Sequence, residues 1–317
     1  MIYLEKYENY FEFDKIISES VLVFSDEFLN KLEKFKEFYP EISQLLLSLN
    51  NKDFPSINIC NVNVDLEDPE FLKFTTEKNQ KTQSVKTGRM LKRLLDLIDE
   101  KSNNISSEDM EKAINMFKAI IAYNKDKFKE VSGPDIYTYY NMIPYEKVTG
   151  KGQMGKSCMN QKPEGFFELY INNPEKVKLV VLEEKGEMVG RAILWKTDNG
   201  FEFLDRIYTY EDKDIDTFKL YADDNGYWYK EKQNTSYMNR DKFNYKFNIV
   251  SRGEMKSVDI VVSLNKFEVE SYPYLDSLCY FNSEEGKLSN HRFAVDADLL
   301  ICNMDGGYKA SDFEWVF

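Results

Sequence analysis

The sequence predicts an α+β chain: a helical N-terminal half followed by a mainly antiparallel sheet with a covering helix. Three observations carry this. Up to about residue 127, apolar residues recur at helical spacing behind serine caps. From about residue 150, short apolar strands alternate with turn residues. One amphipathic stretch, Asp214–Asn225, then interrupts the strands and stops at Gly226.

Taken in order, Ser25 is an N-cap with Asp26 and Glu27 in the first turn, where a helix dipole favours acids. A second helix is expected from Pro40 to Leu49, with Pro40 at the first helical position. Residues 57–66 alternate apolar and polar, but the parity slips between Ile59 and Val62, as in an interrupted strand. Ser84–Lys101 places Met90, Leu91, Leu94, Leu95 and Ile98 on one helical stripe, and Ser106–Lys127 opens on a capping-box pattern. Strands are expected at Lys178–Leu182 and Met188–Trp195 as a hairpin, then at Phe201–Tyr208. Further strands are expected at Lys246–Val250, Val258–Leu264, Tyr274–Phe281 and Leu299–Cys302. The change of pattern puts a domain boundary between residues 149 and 150, giving units 1–149 and 150–317.

Composition removes several classes of function. No apolar run approaches the ~20 residues of a membrane span. Met1–Lys6 carries acid where a signal peptide is basic and then apolar. Four cysteines in 317 residues are too few for a disulfide framework, so a reducing cytoplasm is the expected setting. A net charge of −13 opposes non-specific nucleic-acid binding unless cations are segregated on one face. Lys86, Arg89, Lys92 and Arg93, with Lys81, form the one dense basic run, so nucleic acid is expected only through them.

Several motifs resemble sites. Gly150–Ser157 satisfies G-x-x-x-x-G-K-S, the fingerprint of a phosphate-cradling loop. Such a loop needs a buried strand before it and a helix after it. Here Ile143-Pro144-Tyr145 precedes it, and Pro163 and Gly165 follow, so the match reads as a decoy. Cys158, beside Lys156, is a candidate thiol nucleophile, with His291, the sole histidine, as its candidate base. No Cys/His/acid spacing suits a metal, and no cofactor is expected.

The most unusual polar residues lie inside apolar strands. Arg191 should share a face with Ile193 and Trp195, and Arg206 with Leu204 and Tyr208. An arginine on an apolar face needs a partner, either Asp205 or another carboxylate. Arg191, Trp195, Asp205, Arg206, Tyr208 and Asp276 are the candidate ligand-binding set, and a structural ion pair that fixes register is the competing reading.

Ordered short blocks carry a resemblance to a family. They include Lys86-Thr87-Gly88-Arg89, Ser132-Gly133-Pro134-Asp135-Ile136 with Tyr139-Tyr140, and Met154 to Met159. Gly190 to Trp195, Asp205 to Tyr208, and Tyr272 to Ser277 complete the series. Across about residues 70 to 305 the chain resembles a family of uncharacterised proteins of tailed bacteriophages and prophages. In that pattern a small or amide residue usually stands where this chain has Lys156, and an arginine where it has Asn160. The stretch from Leu179 to Gly226 separately resembles part of an N-acetyltransferase fold. It lacks that fold's glycine-rich pyrophosphate turn and has Tyr210-Glu211-Asp212-Lys213-Asp214 in its place.

The resemblance implies a phage- or prophage-encoded accessory protein, in the cytoplasm of an infected bacterium, that binds a host or phage macromolecule. The acidic balance suits a basic protein partner. The alternatives are an enzyme, thiol-dependent or transferase-like, built around Cys158, Arg191 and Arg206, and a component of the virion.

Overall fold

The computed structural model describes residues 21–54, 59–76, 81–98, 105–142, 152–157, 159–160, 162–233, 247–278, 280–291, 298–300 and 308–309. They form an α+β chain in which seven helices accompany mixed and antiparallel sheets. Two compact units divide at Tyr123/Asn124. This is earlier than the boundary expected at 149/150, because Phe128–Val131 pairs as a strand with Leu179–Leu182 of the second unit.

The first unit contains a sheet as well as helices. Strands β1 (Val21–Phe24), β2 (Lys52–Asp53), β3 (Asn61–Val64), β4 (Phe71–Thr75) and β5 (Gln83–Lys86) assemble in the order β2-β1-β3-β4-β5. Helices α1 (Asp26–Phe35), α2 (Pro40–Leu47), α3 (Thr87–Leu95) and α4 (Ser107–Ala122) supply the rest of the core. Leu22, Val62, Leu72, Phe28, Leu32, Phe35 and Phe117 are buried, and the Phe28 and Phe117 rings meet edge-on at 5.6 Å. The caps are those the sequence predicts: Ser25 Oγ accepts from the Phe28 amide at 3.1 Å, and Ser106 Oγ from the Asp109 amide at 3.0 Å. The helix expected from Ser84 instead begins at Thr87. Gln83–Lys86 pairs antiparallel with Phe71–Phe74, and ladder hydrogen bonds outweigh helix propensity there.

In the second unit, β6 (Phe128–Val131), α5 (Pro134–Asn141) and α6 (Glu168–Ile171) precede the hairpin of β7 (Val177–Glu184) and β8 (Glu187–Lys196). Lys185 and Gly186 both have positive φ, +54° and +82°, the geometry of a tight two-residue hairpin turn. β9 (Glu202–Leu204) and β10 (Tyr208–Thr209) both pair with β8. Helix α7 (Asp214–Asn225) crosses from there to β11 (Trp228–Lys230), which lies parallel to β9. β12 (Phe247–Ser251) and β13 (Glu254–Val258) extend the sheet to the order β13-β12-β11-β9-β8-β7-β6. Among the described residues β9/β11 is the sheet's one parallel pair.

Smaller sheets follow: β14 (Val261–Ser263), β16 (Tyr280–Asn282), β17 (Lys287–Ser289) and β18 (Asp298–Leu300), then β15 (Ser271–Tyr272) with β19 (Tyr308–Lys309). The strand expected over Tyr274–Phe281 is confined to its last part. Pro273–Leu278 has no regular structure, and that segment forms part of the site described next. No helix among the described residues is long and apolar enough to cross a membrane.

Candidate functional site

The two faces of β8 are used differently. Gly190 meets α7, where an added Cβ would stand 2.5 Å from Phe218 Cε2. Arg191 and Trp195, both fully buried, point to the opposite face with Ile193, as alternation requires. There they help to enclose a cavity of about 20 Å³ with Tyr140, Ser157, Met159, Tyr170, Asp205, Arg206, Tyr208, Tyr274, Leu275 and Asp276. All six residues of the candidate ligand-binding set therefore line one space. They come from β8, the β9–β10 strand and the 273–278 segment.

A backbone irregularity explains how Asp205, Arg206 and Tyr208 all reach it. Leu204 pairs with Leu194 and the Asp205 amide donates to the Ile193 carbonyl at 2.8 Å, yet Tyr208 pairs with Arg191. Three steps along one strand thus face two along the other, which is a β-bulge. The bulge divides the expected Phe201–Tyr208 strand and lets consecutive side chains face the same cavity.

The partners of each group are specific. Arg191 Nη2 donates to Ser157 Oγ at 3.0 Å, and the guanidinium lies over the Tyr140 ring at 3.8 Å from its centroid. Arg206 pairs with Asp276, Nη1 to Oδ1 at 3.3 Å, and lies 5.0 Å from the Tyr208 centroid. The Tyr208 hydroxyl donates to Oδ1 and Oδ2 of Asp276 at 2.8 and 3.0 Å. Asp205 Oδ1 accepts from the Ser277 hydroxyl and from the Arg206 amide. Trp195 Nε1 is buried and has no acceptor among the described residues. The carboxylate that pairs with Arg206 is thus Asp276; the alternative that alternation had put forward, Asp205, binds the Arg206 backbone.

Burial, and then the neighbouring Asp205 charge, push the Asp276 carboxyl up to about 6, against the pull of Arg206 and the Tyr208 hydrogen bond. Burial and the Asp276 charge hold the Tyr208 phenol well above its ordinary range, so it serves as a hydrogen-bond donor.

Cys158 lies outside the described residues, although Ser157 and Met159 on either side of it are cavity walls. His291 is not a wall of the cavity. Its Nδ1 lies 2.7 Å from Ser289 Oγ and 3.9 Å from an Asp259 carboxylate oxygen. Of the Gly150–Ser157 fingerprint, residues 152–157 are described, and they form a 3-10 turn over Met154–Lys156. The Gly152 amide donates to the Tyr210 carbonyl at 2.7 Å, Met154 is buried, and the Ser157 hydroxyl is bound to Arg191. No helix begins at that serine. Among the described residues no group of three or more His, Cys, Asp or Glu side chains could hold a metal ion.

Sequence reasoning missed Tyr140, Ser157 and Tyr170 as wall residues. The signal for Ser157 lay inside the decoy fingerprint, and the Tyr139-Tyr140 pair was among the family blocks. No family model matches the chain, and no curated protein or solved structure matches it.

Proposed function

We propose that this chain is a phage- or prophage-encoded accessory protein that acts by binding a host or phage macromolecule. The observation that supports binding over catalysis is the closed state of the polar cluster. Arg206 is matched to Asp276, Asp205 to Ser277, and Arg191 to Ser157 and the Tyr140 face. The space left among them, about 20 Å³, suits a water-sized group.

A second reading, an enzyme with Cys158, Arg191 and Arg206 in its site, is favoured by one observation. A carboxyl held near pH 6 in a cavity wall has the proton affinity of a general acid or base.

Cross-linked capture from infected bacteria, with native mass spectrometry of the same preparation, separates the two. The binding reading expects a specific macromolecule that Arg206→Ala and Asp276→Asn still capture once they are shown to be folded. A small molecule retained by the wild type and lost in both variants overturns it in favour of the enzyme.

A further inference from the structure

Lys86, Arg89, Lys92 and Arg93 are all exposed, on and just before α3. Among the described residues none of the four makes an ion pair or a side-chain hydrogen bond. Elsewhere in the same unit Lys34, Lys73, Lys112 and Lys118 are paired with Glu37, Asp65, Glu108 and Glu70. A chain with 55 acidic against 42 basic residues thus leaves four neighbouring cations without an acid.

These charges are rigidly presented. Met90, Leu91, Leu94 and Leu95 bury the other side of α3, and an added Cβ at Gly88 would stand 3.1 Å from Ile114. Arg89 and Arg93 fall four residues apart on one helical stripe, ~6 Å along the axis, with Lys92 beside them and Lys86 at the end of β5, immediately before the helix. The first turn has no side-chain cap, so its amide dipoles add to the positive field.

We infer that the exposed face of α3 binds the phosphate backbone of double-stranded DNA. This rests on the macromolecule-binding reading above and names the macromolecule. Arginine and lysine at these spacings meet successive phosphates, and a single helix fits the ~12 Å major groove of B-form DNA. Residues 87–95 include no aromatic side chain, so no platform for stacking unpaired bases exists on this helix, which disfavours single strands. The deep, narrow major groove of A-form RNA does not admit a helix. The contact is therefore sequence-independent and electrostatic.

The test is fluorescence anisotropy of a labelled DNA duplex with the full chain, at stepped salt concentrations. Four phosphate contacts predict that log K falls against log salt with a slope of roughly −3.6. Arg89→Gln should flatten the slope by about 1. Changing all four residues to glutamine should abolish binding, with folding verified by circular dichroism, while Lys112→Gln on α4 leaves it unchanged. The inference is overturned by a wild type that ignores the duplex at low salt, or by binding that the fourfold variant retains. Tighter binding to duplex RNA, single strands or polyglutamate overturns it equally. If the duplex fails while the intact chain still captures a macromolecule from infected cells, this inference falls and the binding function stands. If capture fails too, both fall.

Discussion

The Tyr208 hydroxyl spans both carboxylate oxygens of Asp276, at 2.8 and 3.0 Å, and so ties the end of a bulged strand to an irregular segment 68 residues later. Arg206 reaches the same carboxylate, so three side chains hold the 273–278 segment against the sheet.

Tyr208→Phe removes the hydroxyl and keeps the ring beside Arg206. A largely buried carboxylate then loses a donor, which costs about 1–3 kcal/mol. Urea unfolding should show a lower midpoint with an unchanged slope; an unchanged midpoint would mean that the bond contributes nothing.

The Asp276 proton gives a pH dependence with a definite sign. Its folded value, about 6, lies above the ordinary aspartate value, so between the two the folded chain holds more protons than the unfolded chain. Stability from this group is therefore fully present below about pH 4, falls as pH rises towards 6, and is level above that. Asp214, also pushed up to about 6 by burial, acts in the same window and direction. Asp276→Asn should remove its own share, on the order of 2 kcal/mol, from the difference between unfolding free energies at pH 4.5 and 7. Parallel curves for wild type and variant would refute this.

Gly152 is a glycine because the Thr209–Tyr210 backbone passes against it. A Cβ there would overlap the Thr209 carbonyl. Gly152→Ala should displace the Met154–Lys156 turn, separate Ser157 from Arg191, and cost about 1–3 kcal/mol. Chemical-shift changes centred on Arg191 and Tyr210 would register the displacement, and a spectrum altered only at Gly152 would contradict it.

On the other face of the sheet, Glu130 accepts from the Tyr221 and Tyr227 hydroxyls at 3.0 and 2.6 Å and pairs with Lys178 at 3.0 Å. Glu130→Ala leaves two phenols without their acceptor. It should lower stability by roughly 1–3 kcal/mol, more than the sum of Tyr221→Phe and Lys178→Met if the three act as a network. Thermal unfolding of the set gives the comparison.

The fold was legible where local chemistry decides it. The Ser25 and Ser106 caps, the β7–β8 hairpin and α7 with its Gly226 stop follow from residues within a few positions of each other. Of the first sheet only β3 was legible, inside the interrupted strand expected over residues 57–66; the rest was not, because β1 is four residues long and pairs parallel with a strand nearly forty residues away, and β5 carries helix-like spacing into α3. At the site, alternation placed Arg191 with Ile193 and Trp195, and cost arguments demanded a partner for Arg206. Neither the bulge that brings Asp205 and Arg206 to one side nor the choice of Asp276 can be read locally. Both depend on a register slip and on a contact across 70 residues.

That separation has a consequence during synthesis. Residues 177–209 leave the ribosome well before Asp276 exists, and at 5–20 residues per second the gap is on the order of 4–14 s. During this interval Arg206 is without Asp276, and the cavity lacks its 274–276 wall. The second unit consequently completes its interior only late in translation. Until then Arg191, Arg206 and Tyr208 lack the wall that covers them in the folded chain, and exposed interior of this kind is what makes a partly made chain prone to aggregate.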